Sequence, residues 1–129
     1  MATRSHVGYI DFDGKLKAAY CHWDGYPQGV LRNVLDFIDT FGIEEFVEET
    51  DRGNKEGGIS EWRRGGAFTY GDWRDEVSDP NLCTVRDRCD LDNDYAYIFD
   101  RSEGHLVEAY KYGRQTNIER IIQESQEKF

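Results

Sequence analysis

Apolar and polar residues alternate over residues 5–12 and again over 15–23, a period that predicts two β-strands. Between them stands Asp13-Gly14, the dipeptide that suits a two-residue type I′ turn, so the chain is expected to open with a β-hairpin. Along the second arm Leu16, Ala18, Tyr20 and His22 share one face, and Ala19, Cys21 and Trp23 share the other. Apolar groups on both faces predict an inner strand covered on both sides. The segment Asp24-Gly25-Tyr26-Pro27-Gln28-Gly29 then interrupts the pattern. A helix is predicted over 30–41, where Val30, Val34, Phe37, Ile38 and Phe41, flanked by Leu31 and Leu35, fall at helical spacing and Gly42 stands where a helix-ending glycine belongs.

The pattern weakens after Gly42. Residues 43–50 place Glu44, Glu45, Glu48 and Glu49 around Phe46 and Val47 and read equally as a short acidic helix or an extended edge. Residues 52–58 carry three glycines among polar residues and read as a flexible loop. Over 59–70 aromatic and polar groups interleave around Gly65-Gly66. Aspartates crowd at Asp87, Asp90, Asp92 and Asp94, after which the aromatic and β-branched run 95–99 predicts a strand, 100–104 a hairpin loop and 105–112 the return strand. Thr116-Asn117-Ile118-Glu119 matches a capping box, and Ile118, Ile121 and Ile122 give the following helix an apolar side. The expected fold is α+β, one domain over 1–129, with a mainly antiparallel sheet built from two hairpins and two packed helices.

Composition narrows the function. With 129 residues, 26 acidic against 16 basic side chains and a formal charge of -10, the field of the molecule repels nucleic acid and anionic membrane. The longest apolar run, 95–99, falls far short of the roughly 20 residues of a bilayer span, and the first residues carry no signal-peptide apolar stretch. A cytoplasmic protein without direct nucleic-acid or membrane partners is expected. Cys21, Cys83 and Cys89 form no C-x-x-C pair and read as free thiols.

Four groups of residues bear on the chemistry. His22, Trp23, Asp24 and Tyr26 concentrate an imidazole, a carboxylate and two rings at a strand-to-helix junction, which suits proton exchange or stacking on a flat ligand; the structural reading makes Asp24-Gly25 turn chemistry and the rings core. Cys21 points away from His22 in a regular strand, which argues against a Cys-His pair. Arg63, Arg64 and Arg74 interleave with Trp62, Phe68, Tyr70 and Trp73, an arrangement able to fork phosphate and stack a base, although Asp72, Asp75 and Glu76 nearly cancel those charges. The aspartates open like a calcium loop, but counted from Asp90 the sixth position is Tyr95 and the twelfth Arg101, so no metal or other cofactor is expected. Finally, seven acids, Asp36, Asp39, Glu44, Glu45, Glu48, Glu49 and Asp51, stand without an intervening cation, a surface suited either to solvation or to a basic groove on another protein.

Thr3-Arg4-Ser5, the hairpin, and His22-Trp23-Asp24-Gly25-Tyr26-Pro27 with Gly29 resemble the opening of a group of small proteins from bacteriophages and bacterial mobile elements. The similarity covers about the first third of the chain and implies an accessory protein; it brings no catalytic residues with it. The leading expectation is therefore a non-enzymatic protein that binds and inhibits a bacterial host protein with a basic surface, in counter-defence or host takeover, through Glu44, Glu45, Glu48 and Glu49. The alternative is a nucleotide-like small-ligand protein, a sponge or modest enzyme, using His22, Trp23, Asp24 and Tyr26 with Arg63 and Arg64. A third reading is a homodimer paired through a hairpin edge.

Overall fold

The computed structural model describes residues 2–69 and 94–127. Strands β1 (Ser5–Ile10) and β2 (Leu16–Cys21) form the opening hairpin, followed by a wide turn over Pro27–Leu31 and helices α1 (Arg32–Phe41) and α2 (Ile43–Lys55). A small hairpin, β3 (Glu61–Arg63) and β4 (Gly66–Phe68), comes next. After the aspartate-rich stretch lie β5 (Tyr95–Asp100), β6 (Leu106–Lys111), β7 (Arg114–Gln115) and helix α3 (Ile118–Ser125). The main sheet has the order β2-β1-β5-β6-β7 and the second sheet is β3-β4. The architecture is α+β, and its one departure from antiparallel pairing in the main sheet joins β1 to β5, with Val7 opposite Tyr97.

That central parallel pair explains the run 95–99. Tyr97 and Phe99 enter the core with Val7, Tyr9, Ala19 and Cys21 and with the helices, while Ala96 and Ile98 are buried on the other face with Leu16 and Ala18. A strand covered on both faces reads as continuous apolar sequence, not alternation. Between the sheet and the helices, Trp62 stacks on Phe46 at 5.6 Å and meets Phe37 edge-on at 5.4 Å.

Several sequence expectations change. The first hairpin closes through three residues, Phe12-Asp13-Gly14, and not a two-residue type I′ turn. The Gly14 N–H donates to the Asp11 carbonyl, the Asp11 N–H to the Lys15 carbonyl, and Gly14 alone in the turn takes a left-handed φ of 80°. The Asp13 carboxylate accepts from the Lys15 N–H, and Asp13 does not take the positive φ that a type I′ turn demands of both its central residues. Strand β2 is an edge, not an inner strand. Its outward carbonyls are satisfied without another strand: the Ile59 N–H donates to the Tyr20 carbonyl and the Asn54 side chain to the Ala18 carbonyl. An edge capped in this way resists strand addition.

Residues 43–50 are helical, and the helix runs on to Lys55 through what reads as loop. Gly53 serves contact there, not flexibility, since a Cβ on it would lie 2.4 Å from Ile59. The described residues thus hold three α-helices where two were expected. Helix α3 is capped by Asn117, whose side chain accepts from the Arg120 N–H, and not by a Thr116–Glu119 box. Thr116 is held in the sheet margin by donating its N–H to the Ala109 carbonyl. Among the described residues, no helix is long and apolar enough to cross a membrane.

Candidate functional site

The junction after β2 is built from close backbone approaches. The Gly25 N–H donates to the Thr3 carbonyl, and the buried Tyr97 hydroxyl donates to the Gly25 carbonyl at 2.7 Å. A Cβ on Gly25 would lie 2.8 Å from the Thr3 oxygen. Four residues on, a Cβ on Gly29 would lie 2.3 Å from the Asp24 oxygen, which accepts instead from the Val30 N–H. Pro27 opens the turn, and the Arg32 N–H reaches back to the Pro27 carbonyl, a wide π-type spacing of the kind often found beside functional sites.

The result is one exposed residue in an uncommon conformation. Asp24 has φ 57°, a left-handed value that costs most L-residues energy and aspartate less than most. The Tyr26 hydroxyl donates to Asp24 Oδ1 at 3.2 Å. Burial, and then the neighbouring Asp24 charge, raise the Tyr26 phenol above its ordinary pKa, so it stays protonated as a donor. Trp23 is 40 % exposed and His22 meets it edge-on with ring centroids 4.6 Å apart. On the strand side, the Tyr20 hydroxyl and His22 Nδ1 share a hydrogen bond of 2.7 Å, and Tyr20 meets His6 edge-on at 5.9 Å. His22 thus touches Trp23 and Tyr26 touches Asp24, two adjoining pairs at the step after β2.

Cys21 takes no part in it. The thiol is buried on the helix side of the sheet, as strict alternation from His22 requires, and burial pushes it up to about 12, leaving a neutral, unreactive group. Cys83 and Cys89 lie outside the described residues, as do Tyr70, Trp73, Arg74 and the aspartates before Asp94.

The arginines do not join the junction. Arg63 donates from both Nε and Nη2 to Glu61 Oε1 and lies 4.1 Å over the Phe68 ring, while Arg64 faces Asp36 at 3.4 Å. Trp62 is core, not a stacking platform. No hydrogen bond, ion pair or ring contact among the described residues links Arg63 or Arg64 to His22, Trp23, Asp24 or Tyr26, and these two guanidinium groups are already turned to carboxylates.

The acidic face of α2 divides in two. Glu44 accepts two hydrogen bonds from Arg101, which also binds Asp11, and this pairing holds the Glu44 carboxyl below its ordinary range. Glu49 Oε2 accepts from the Ala67 N–H at 2.9 Å and from Arg52 at 2.8 Å, pinning the β3-β4 hairpin to the helix. Glu45 and Glu48 are exposed and form no ion pair among the described residues. They are three positions apart, adjacent on the outer face of α2, whose inner face buries Phe46, Val47 and Thr50.

Sequence reasoning missed the roles of Tyr97, Gly25 and Gly29 in shaping the junction. Glycine spacing was visible, but their steric need comes from Thr3, Ser5 and the Asp24 carbonyl. No known protein family, curated protein or solved structure matches the chain.

Proposed function

We propose that the chain is an accessory protein of a bacteriophage or mobile element that binds and inhibits a basic bacterial protein, acting in the host cytoplasm in counter-defence or takeover. The observation that carries this reading is the pair Glu45 and Glu48, exposed on a helix whose inner face is buried, and in no ion pair among the described residues. Carboxylates presented in this way steer a basic partner and fix its register. The contact set is narrower than the four glutamates of the sequence pattern, because Glu44 and Glu49 are engaged within the fold. The resemblance of the opening segment to phage and mobile-element proteins supports a bacterial target. The nucleotide-like reading keeps its aromatic junction but has less support, since Arg63 and Arg64 lie elsewhere with partners of their own.

Native mass spectrometry of the tagged protein, isolated gently from its bacterial host, tests the proposal. An added mass of protein size is expected with the wild-type chain and should be lost with Glu45→Lys combined with Glu48→Lys. A retained protein mass in that variant, or an added mass of only metabolite size in the wild type, overturns it.

A further inference from the structure

Among the described residues, five of the eight arginines form ion pairs within the fold: Arg52 with Glu49 and Glu56, Arg63 with Glu61, Arg64 with Asp36, Arg101 with Asp11 and Glu44, and Arg120 with Glu124. Asp24 is the reverse case. Its carboxylate is exposed, Oδ1 accepts from the uncharged Tyr26 hydroxyl, and no cation among the described residues lies within ion-pair distance of it. Beside it, the Trp23 indole is exposed, in contrast with Trp62, which is 2 % exposed in the core.

The position of this step is fixed from below. The Val30 N–H and the missing Cβ of Gly29 hold the Asp24 carbonyl, and Tyr97 and Thr3 hold Gly25. A carboxylate and an indole on consecutive exposed residues, Asp24 and Trp23, match one planar cation particularly well. A guanidinium can fork the carboxylate and lay its face on the ring, whereas an ammonium is a compact, strongly hydrated point charge that gains less from the ring.

We infer that the Trp23-Asp24 step is a seat for an arginine side chain on the surface of the basic partner. The inference rests on the binding reading above and adds to it a second contact, distinct from Glu45 and Glu48, that selects arginine over lysine.

Hexa-arginine and hexa-lysine peptides, titrated separately into the full chain at fixed ionic strength, read this selectivity directly. Nitrogen-resolved NMR of the indole N–H of Trp23 reports the site. The wild-type chain should bind hexa-arginine about three- to fivefold more tightly than hexa-lysine, with the Trp23 indole signal moving on titration. Asp24→Asn and, separately, Trp23→Phe plus Asp24→Asn should bring the ratio to near one without changing the melting temperature greatly. Glu45→Lys with Glu48→Lys should weaken both peptides while leaving the ratio intact, so loss of the helical contact and loss of the arginine seat are told apart. Equal binding of the two peptides by the wild type, or a preference that survives Asp24→Asn, overturns the inference.

Discussion

Strand β2 ends in a glycine-bearing turn on each side, and the two turns use glycine for opposite reasons. At Phe12-Asp13-Gly14 the chain needs a left-handed backbone and nothing else. Gly14 has φ 80°, no atom lies within 4 Å of where its Cβ would be, and the turn closes on its own hydrogen bonds. At the other end, Gly25 and Gly29 are outside the set of positive-φ glycines, yet each would drive a Cβ into backbone at under 3 Å. The first turn is local chemistry. The second is a tertiary lock, and its product is the exposed Trp23-Asp24 step. An isolated dipeptide suffices to make a hairpin, whereas presenting a carboxylate in a left-handed conformation takes contributions from β1, β5 and the wide turn together.

The contrast is most sharply broken at Gly29. Alanine there would bring a Cβ to 2.3 Å from the Asp24 carbonyl oxygen and 3.1 Å from the Asp24 Cβ. Backbone cannot yield as a flexible side chain does, so Gly29→Ala should cost about 3 kcal/mol, the upper range of overpacking penalties. Urea denaturation measures the loss. A loss under about 0.5 kcal/mol would mean that the junction is loose and that Asp24 is not held as described.

The next effect concerns the charges behind the first turn. Asp11 is held down at about 2, chiefly by the Lys17 ammonium at 2.7 Å, then by the Phe12 N–H, with Arg101 adding at 2.9 Å. An aspartate lowered in the folded state stabilises above its unfolded value of about 4, and that stabilisation is lost as pH falls from about 4 toward 2. The wild-type chain should therefore exceed Asp11→Asn by about 2 kcal/mol at pH 7, with the gap closing through that window. Paired denaturation curves at pH 7, 4 and 2.5 check it, and a gap independent of pH would remove the ion pairs as its cause.

How much of this was legible follows the same division. The first hairpin was readable from Asp13-Gly14, although its three-residue loop, closed by the Asp11 and Lys15 backbone pairing, was not. Alternation along β2 correctly separated Cys21 from His22, because period two is a property of the strand alone. By contrast, β2 is covered on both faces as its pattern indicates yet stands at the sheet edge, where Ile59 and Asn54, remote in sequence, satisfy its carbonyls. The glycine-rich stretch after Thr50 looked flexible because the close contact of Gly53 with Ile59 has no sequence signature. The cationic and aromatic patch came apart for a similar reason. Trp62 was claimed by the core and Arg64 by Asp36, a residue on α1. The four glutamates were found as a group, but which of them remained available depended on Arg101 and the Ala67 N–H.

The smallest effect sharpens the comparison. Gly14 has open space around it, so alanine meets no atom and pays only for a left-handed backbone, about 1 kcal/mol. Part of that is returned, because alanine restricts the unfolded chain more than glycine does. Asparagine tolerates the left-handed region better than alanine, so Gly14→Asn should fall between the wild-type chain and Gly14→Ala. Neither change touches Asp24, and both should leave the Trp23 indole resonance where it is. The ratio of the two alanine costs, about threefold between Gly29 and Gly14, then measures steric lock against backbone preference within one strand. Should Gly14→Ala cost as much as Gly29→Ala, the first turn would also be held by tertiary contact, through the Arg101 guanidinium that lies 4.7 Å over the Phe12 ring.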